Sequence, residues 1–155
     1  MRVRIERVIG VAAALTAAAC NPVKPPVAPP ALPITRATLD ETLQATVAAI
    51  TSGDAAKVGA SYSTDATLIN ARGRFDSQLA ITRFWVDGLK SPMAGKNLNI
   101  AIERWGTSGD IAYTLSRFTG GVTAPSGYVL SISKRRTDGT LKTVIQVSIP
   151  DPPAK

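Results

Sequence analysis

The sequence predicts a single α+β domain, with three helices in its first part and an antiparallel sheet completed in its second. Three observations carry this expectation. Apolar residues recur at helical spacing between Leu39 and Leu89, they alternate with polar ones in four segments after Lys96, and short glycine-containing connections divide those segments. Helices first and hairpin-linked strands afterwards is an α+β order. The 155 residues leave room for one domain of about 100 to 150 residues, and 45% hydrophobic content is globular composition.

The first helix is expected to start at Thr38-Leu39-Asp40-Glu41, a capping box in which Thr38 covers an open amide and Glu41 reaches back. Leu39, Leu43, Val47 and Ile50 then form one apolar stripe, and Gly53 ends the helix in a left-handed conformation. Asp54 caps a shorter helix through about Ser61, with Val58 and Tyr62 four apart on one side. Ser63-Thr64-Asp65 reads as a turn, Ala66 to Asn70 as a short strand, and Arg72-Gly73-Arg74 as the turn out of it. Asp76 or Ser77 caps the third helix, whose buried face is Ala80, Ile81, Phe84, Trp85 and Leu89, and Ser91-Pro92 stops it. The remaining strands are Asn97 to Trp105, Ile111 to Phe118, Tyr128 to Arg136 and Leu141 to Ile149, with Asp138-Gly139 as a two-residue hairpin signal.

The amino terminus has another character. Arg2, Arg4 and Arg7 precede an uncharged apolar run from Val8 to Ala19, the pattern of a secretory signal over residues 1 to 19. That run is shorter than the roughly 20 residues a spanning helix needs. Cys20, the only cysteine, directly follows Ala17-Ala18-Ala19. Residues 21 to 33, NPVKPPVAPPALP, form a proline-rich tether that polyproline II geometry would extend to about 40 Å. The domain then occupies residues 34 to 150, with 151 to 155 as a short tail.

Chemically the chain is sparsely equipped. It has no histidine, and one thiol cannot form an intramolecular disulfide, a zinc finger or an iron-sulfur site, so no metal or cofactor is expected. Loss of the signal lowers the formal charge from +7 to +5, because three arginines and one glutamate leave with it. In an envelope compartment such an excess favours anionic headgroups or cell-wall polymers, and nucleic acid is not an expected partner. Lys134-Arg135-Arg136 precedes the hairpin signal, where a solvated strand end accounts for it.

Two resemblances follow. The small residues before Cys20 resemble the lipobox of bacterial lipoproteins, although the usual leucine three before the cysteine is Ala17 here. This implies acylation of Cys20 and a membrane anchor, the alternative being cleavage after Ala19 that leaves a free thiol. With Asn21 rather than Asp at the second mature position, it implies the periplasmic face of the outer membrane in a Gram-negative source. The second resemblance covers about residues 36 to 149. Ser52-Gly53-Asp54 closing the first helix, Tyr62 after the second, Asp65-Ala66-Thr67, Gly73, the pair Phe84-Trp85, Gly109-Asp110-Ile111-Ala112 and Asp138-Gly139 follow in the order seen in the SnoaL-like branch of the nuclear transport factor 2-like superfamily. One departure is Asp76-Ser77, where such domains often have glycine. The resemblance implies a cone-shaped, strongly bent antiparallel sheet closed by the helices around a pocket, with dimers through the sheet common.

Fold does not settle function, and the superfamily includes isomerases, cyclases, dehydratases and members without catalysis. Members similar to ketosteroid isomerase use an aspartate base and two further polar groups, and the matching positions here hold Asn70, Thr46 and Ser131. An amide cannot take up the proton, so that chemistry is not expected. Asp54 and Asp76 read as caps. Glu103 and Arg104, adjacent on a strand, are expected on opposite faces. The candidate ligand-binding residues are Tyr62, Asn70, Trp85, Trp105, Tyr113 and Phe118, and if the domain is a lyase, isomerase or cyclase, Asp65 or Tyr62 is the candidate acid or base. The leading expectation is a lipid-anchored protein that binds a small apolar ligand or a partner protein without catalysis.

Overall fold

The computed structural model describes residues 33–91, 94–122 and 125–152. The expectations for the signal, Cys20, the tether, the stop at Pro92 and the last three residues lie outside the described residues. The elements are α1 (Arg36–Thr51), α2 (Ala55–Ala60), β1 (Tyr62–Asn70), β2 (Gly73–Asp76), α3 (Gln78–Gly88), β3 (Asn99–Ser108), β4 (Ile111–Thr119), β5 (Ser126–Arg135) and β6 (Leu141–Pro150). They form the expected α+β domain, a curved, unclosed six-stranded sheet with the helices against one face.

Helix α1 starts earlier than the Thr38 capping box implies. Its cap is Thr35, whose hydroxyl accepts from Thr38 N at 3.2 Å. The cause is the preceding residue: Ile34 is buried with Leu39 in one cluster, five residues on, and this hydrophobic staple sets the entry of the chain. Gly53 follows α1 with φ 76, and Asp54 caps α2 by accepting from Lys57 N at 2.9 Å. Ser77, not Asp76, caps α3, accepting from Ala80 N at 3.3 Å. Asp76 instead takes bonds from Thr67 Oγ1 at 2.8 Å and Arg74 Nε at 2.9 Å across the β1–β2 pair.

The strands run in the order β2-β1-β6-β5-β4-β3, with every junction antiparallel except β1–β6, which is parallel. Two turns of the sequence reading are strand. Ser63-Thr64-Asp65 lies inside β1, at a register irregularity between Tyr62 and Thr67 against β6, so polar residues that suggested a turn occupy a bulge. The turn at Gly73 shrinks to Ala71-Arg72, and β2 pairs with β1 from Asn70↔Gly73 onward. A second bulge lies in β3 between Ile102 and Arg104. There Arg36 Nη2 donates to the Ile102 carbonyl at 3.0 Å, tying α1 to the sheet. The bulge also breaks the alternation assumed for Glu103 and Arg104. Arg104 pairs with Leu115, while Glu103 lies near enough to Arg117 to influence its charge.

The main core lies under α2 and α3, where Val58, Ala66, Leu68 and Ile81 are essentially inaccessible and Ile50, Tyr62 and Phe84 join them. Phe84 stacks obliquely on Phe75, centroids 4.7 Å apart, and meets Trp85 edge-on at 5.3 Å. At the far end Arg117 grips Asp151 through both guanidinium nitrogens, Ser126 adds a third bond, and the guanidinium lies 4.7 Å over the Tyr128 ring. Arg117 and then Ser126 hold the Asp151 carboxyl down at about 2.

Candidate functional site

Strand register decides what faces the helices. Gln146 of β6 lies beside Leu68 of β1 and opposite Ser131 of β5, Ser131 lies opposite Thr114, and Val129 sits between Ser148 and Ser116. This face is therefore built largely from small and polar side chains. The larger Tyr128, Leu130, Ile145 and Ile149 stand exposed on the other. Small side chains under α1 and α3 leave space unfilled: a cavity with about 80 Å³ open to the centre of a water molecule. Leu43, Thr46 and Ile50 of α1, Phe84 and Trp85 of α3, Ile100, Phe118 and the polar strand residues line it, with Gly121 and Val122 at the β4–β5 connection. Among the described residues no charged side chain lines it.

Its hydrogen bonds are partly committed. Tyr62 opens β1, held by Gln78 Nε2, which donates to the Tyr62 carbonyl at 2.9 Å and to the Gly59 carbonyl at 3.2 Å. The Tyr62 hydroxyl donates to Gln146 Oε1 at 3.0 Å. Burial pushes the phenol far above its ordinary value of 10.0, only partly offset by Trp85 and Gln146. The Trp85 indole N–H lies toward the phenol oxygen without full hydrogen-bond geometry, so its buried Nε1 is otherwise unpartnered. Asn70 Oδ1 accepts from Arg72 N at 2.8 Å in the β1–β2 turn, and Thr46 Oγ1 donates to the Thr42 carbonyl at 3.1 Å.

Of the sequence-predicted residues, Tyr62, Asn70, Trp85 and Phe118 meet at this cavity. Thr46 and Ser131, matched to isomerase polar groups along with Asn70, also line it. Trp105 and Tyr113 do not. Trp105 pairs with Thr114 toward the open end of β3 and is 38% exposed, and Tyr113, 47% exposed, covers Gly106, where an added Cβ would come within 2.5 Å of its ring. Asp65 is on the surface. The Ser63 hydroxyl first, then its own backbone amide and the positive Arg136 and Lys134, hold its carboxyl below the usual range, so it is an ordinary ionised surface group away from the cavity. Among the described residues no cluster of three or more Asp, Glu, Cys or His could hold a metal ion.

Sequence reasoning missed Gln146, Ser116 and Ser148. Their signal was present in β6, KTVIQVSI, where the polar members of the alternation fall on the face turned toward the helices. Alternation alone assigns the apolar members to the core, and only the register reveals the inversion.

No protein-family model and no curated protein matches the chain. Solved structures do. An NTF-2 like protein of unknown function from Shewanella oneidensis superposes with a TM-score of 0.64 at 14% identity, covering 74% of this chain and 98% of that one. The fold is NTF2-like. A ketosteroid isomerase-like protein from Erwinia carotovora atroseptica gives 0.59 at 19% identity, covering 75% of this chain and 96% of that one. A protein of unknown function with a cystatin-like fold from Nostoc punctiforme gives 0.62 at 14%, covering 76% and 91%. In these NTF2-like terms the cavity lies inside the cone, between the bent sheet and the helices.

Proposed function

We propose that the domain binds a small, largely apolar ligand in the cone cavity without catalysing a reaction. The observation that carries this is the uncharged lining: aliphatic and aromatic side chains with a few amides and hydroxyls, the composition of a ligand pocket. Catalysis by a lyase, isomerase or cyclase of this fold needs a group that exchanges a proton at the cavity. Asn70 cannot, Asp65 stands outside, and burial keeps the Tyr62 phenol protonated.

The same reading places the domain on a lipid anchor at Cys20, carried by the proline tether in a bacterial cell envelope, and pairs two copies through the exposed outer face of the sheet. Its support is the signal-like leader with a cysteine after small residues, and the apolar residues on that face. Mass spectrometry of the protein purified from its own host tests both parts. The expected native spectrum carries the mass of a co-purified small molecule, and the denatured spectrum an acylated chain starting at Cys20. An unacylated chain starting at Cys20 would sink the anchor, and a charged, strongly polar co-purified metabolite seated in the cavity would sink the ligand class.

A further inference from the structure

Resting on that ligand-binding reading, the hydrogen-bond inventory of the cavity narrows what it takes. Tyr62 donates to Gln146 Oε1, which leaves the Gln146 Nε2 amide as a donor without a protein partner among the described residues. Asn70 is used in the same sense: its Oδ1 is taken by the Arg72 backbone, and its Nδ2 has no protein partner among the described residues. Both amides line the cavity, and neither nitrogen is an inaccessible orphan of the kind Trp85 Nε1 is. The 3.0 Å bond from the Tyr62 hydroxyl to Gln146 Oε1 sets the orientation of the Gln146 amide, with Nε2 on its other side.

Acceptors are scarcer. Thr46 has spent its proton on the Thr42 carbonyl and can only accept, while the Ser116, Ser131 and Ser148 hydroxyls can turn to either role. A ligand carboxylate would enter a space with no cation on its lining, among the described residues, to offset the lost hydration. We propose that the cavity takes a neutral ligand that presents an acceptor oxygen, such as a carbonyl or ether, to the Gln146 and Asn70 amide nitrogens, and rejects the corresponding carboxylate.

Three probes of one shape test this: 1-indanone, indane and indane-1-carboxylate, titrated into the full domain and followed by the side-chain amide resonances of Gln146 and Asn70 and the indole resonance of Trp85. Trp105, outside the cavity, is the internal reference. The ketone is expected to bind about tenfold tighter than indane, the value of one satisfied hydrogen bond, and the carboxylate weakest. Gln146→Met removes the amide donor at similar length without adding a charge, so the ketone's advantage over indane should fall to about threefold or less. Equal binding of indane and ketone, a tighter carboxylate, or an unchanged ratio in Gln146→Met overturns the donor assignment and leaves the cavity a ligand site. Failure of all three probes to move the Trp85 resonance overturns the ligand-binding reading itself.

Discussion

Ser77 holds its backbone at φ 86 and ψ 147, a region that side chains other than glycine reach only with strain. The cause is the connection: the chain must leave β2 and enter α3 in one residue. Serine compensates by capping, at 3.3 Å to Ala80 N. Ser77→Gly should raise stability by about 1 kcal/mol, because relieved strain exceeds the few tenths lost with the cap. Ser77→Ala keeps the strain and loses the cap, and should cost about 1 kcal/mol; urea denaturation checks both. Asp151 sets a pH dependence. Its folded-state pKa, about 2, lies below the ordinary 3.8, so its contribution is complete above the ordinary value and is lost as pH falls through about 2. Asp151→Asn should therefore lower the thermal midpoint at neutral pH, with the gap to the unmodified chain closing toward pH 2.

Among the elements, the α2–α3 contact depends on a missing side chain. Gly59 packs against Thr82 so closely that a Cβ would lie 2.0 Å from its hydroxyl oxygen. Gly59→Ala should cost about 1 to 3 kcal/mol by overpacking, despite alanine's better helix propensity, and Gly59→Ala with Thr82→Ala should recover most of it in a double-mutant cycle. Element identity was legible where local chemistry spoke alone: Asp54 at a cap, Gly53 after a helix, Asp138-Gly139 in a hairpin. It failed where a distant partner decided. Ser63 to Asp65 became strand because β6 lies alongside, Gly73 because β1 returns to it, and α1 began at Thr35 because Ile34 packs under Leu39. The site divided in the same way. Tyr62, Asn70, Trp85 and Phe118 were readable as aromatic or amide residues at element ends, whereas Gln146 needed the register of β6.

At the scale of the molecule, the sheet presents Ile69, Tyr113, Tyr128, Leu130, Ile145 and Ile149 outward, all more than a third exposed. In the proposed pairing of two copies, these large apolar side chains are the contact surface. Ile145 is opposite Ile132 and beside Thr67, near the middle of that face. Ile145→Lys is expected to shift the sedimenting species from two copies to one while leaving the Trp85 environment unchanged. An unmodified chain that sediments as a monomer would exclude the pairing.

The parallel β1–β6 junction also governs the order of events in folding. It joins the first strand to the last among the described residues, and the Tyr62–Gln146 bond within it spans 84 positions. Until β6 is made, β1 and β2 have only each other, and the wall of the cavity has no closing side. Such a long-range pairing is expected to make assembly a late, slow step. A chain ending at Thr140 is expected to show no cooperative unfolding transition by circular dichroism. Ligand affinity is therefore expected to report on completion of the sheet, because the cavity has its full wall only once β6 has docked beside β1.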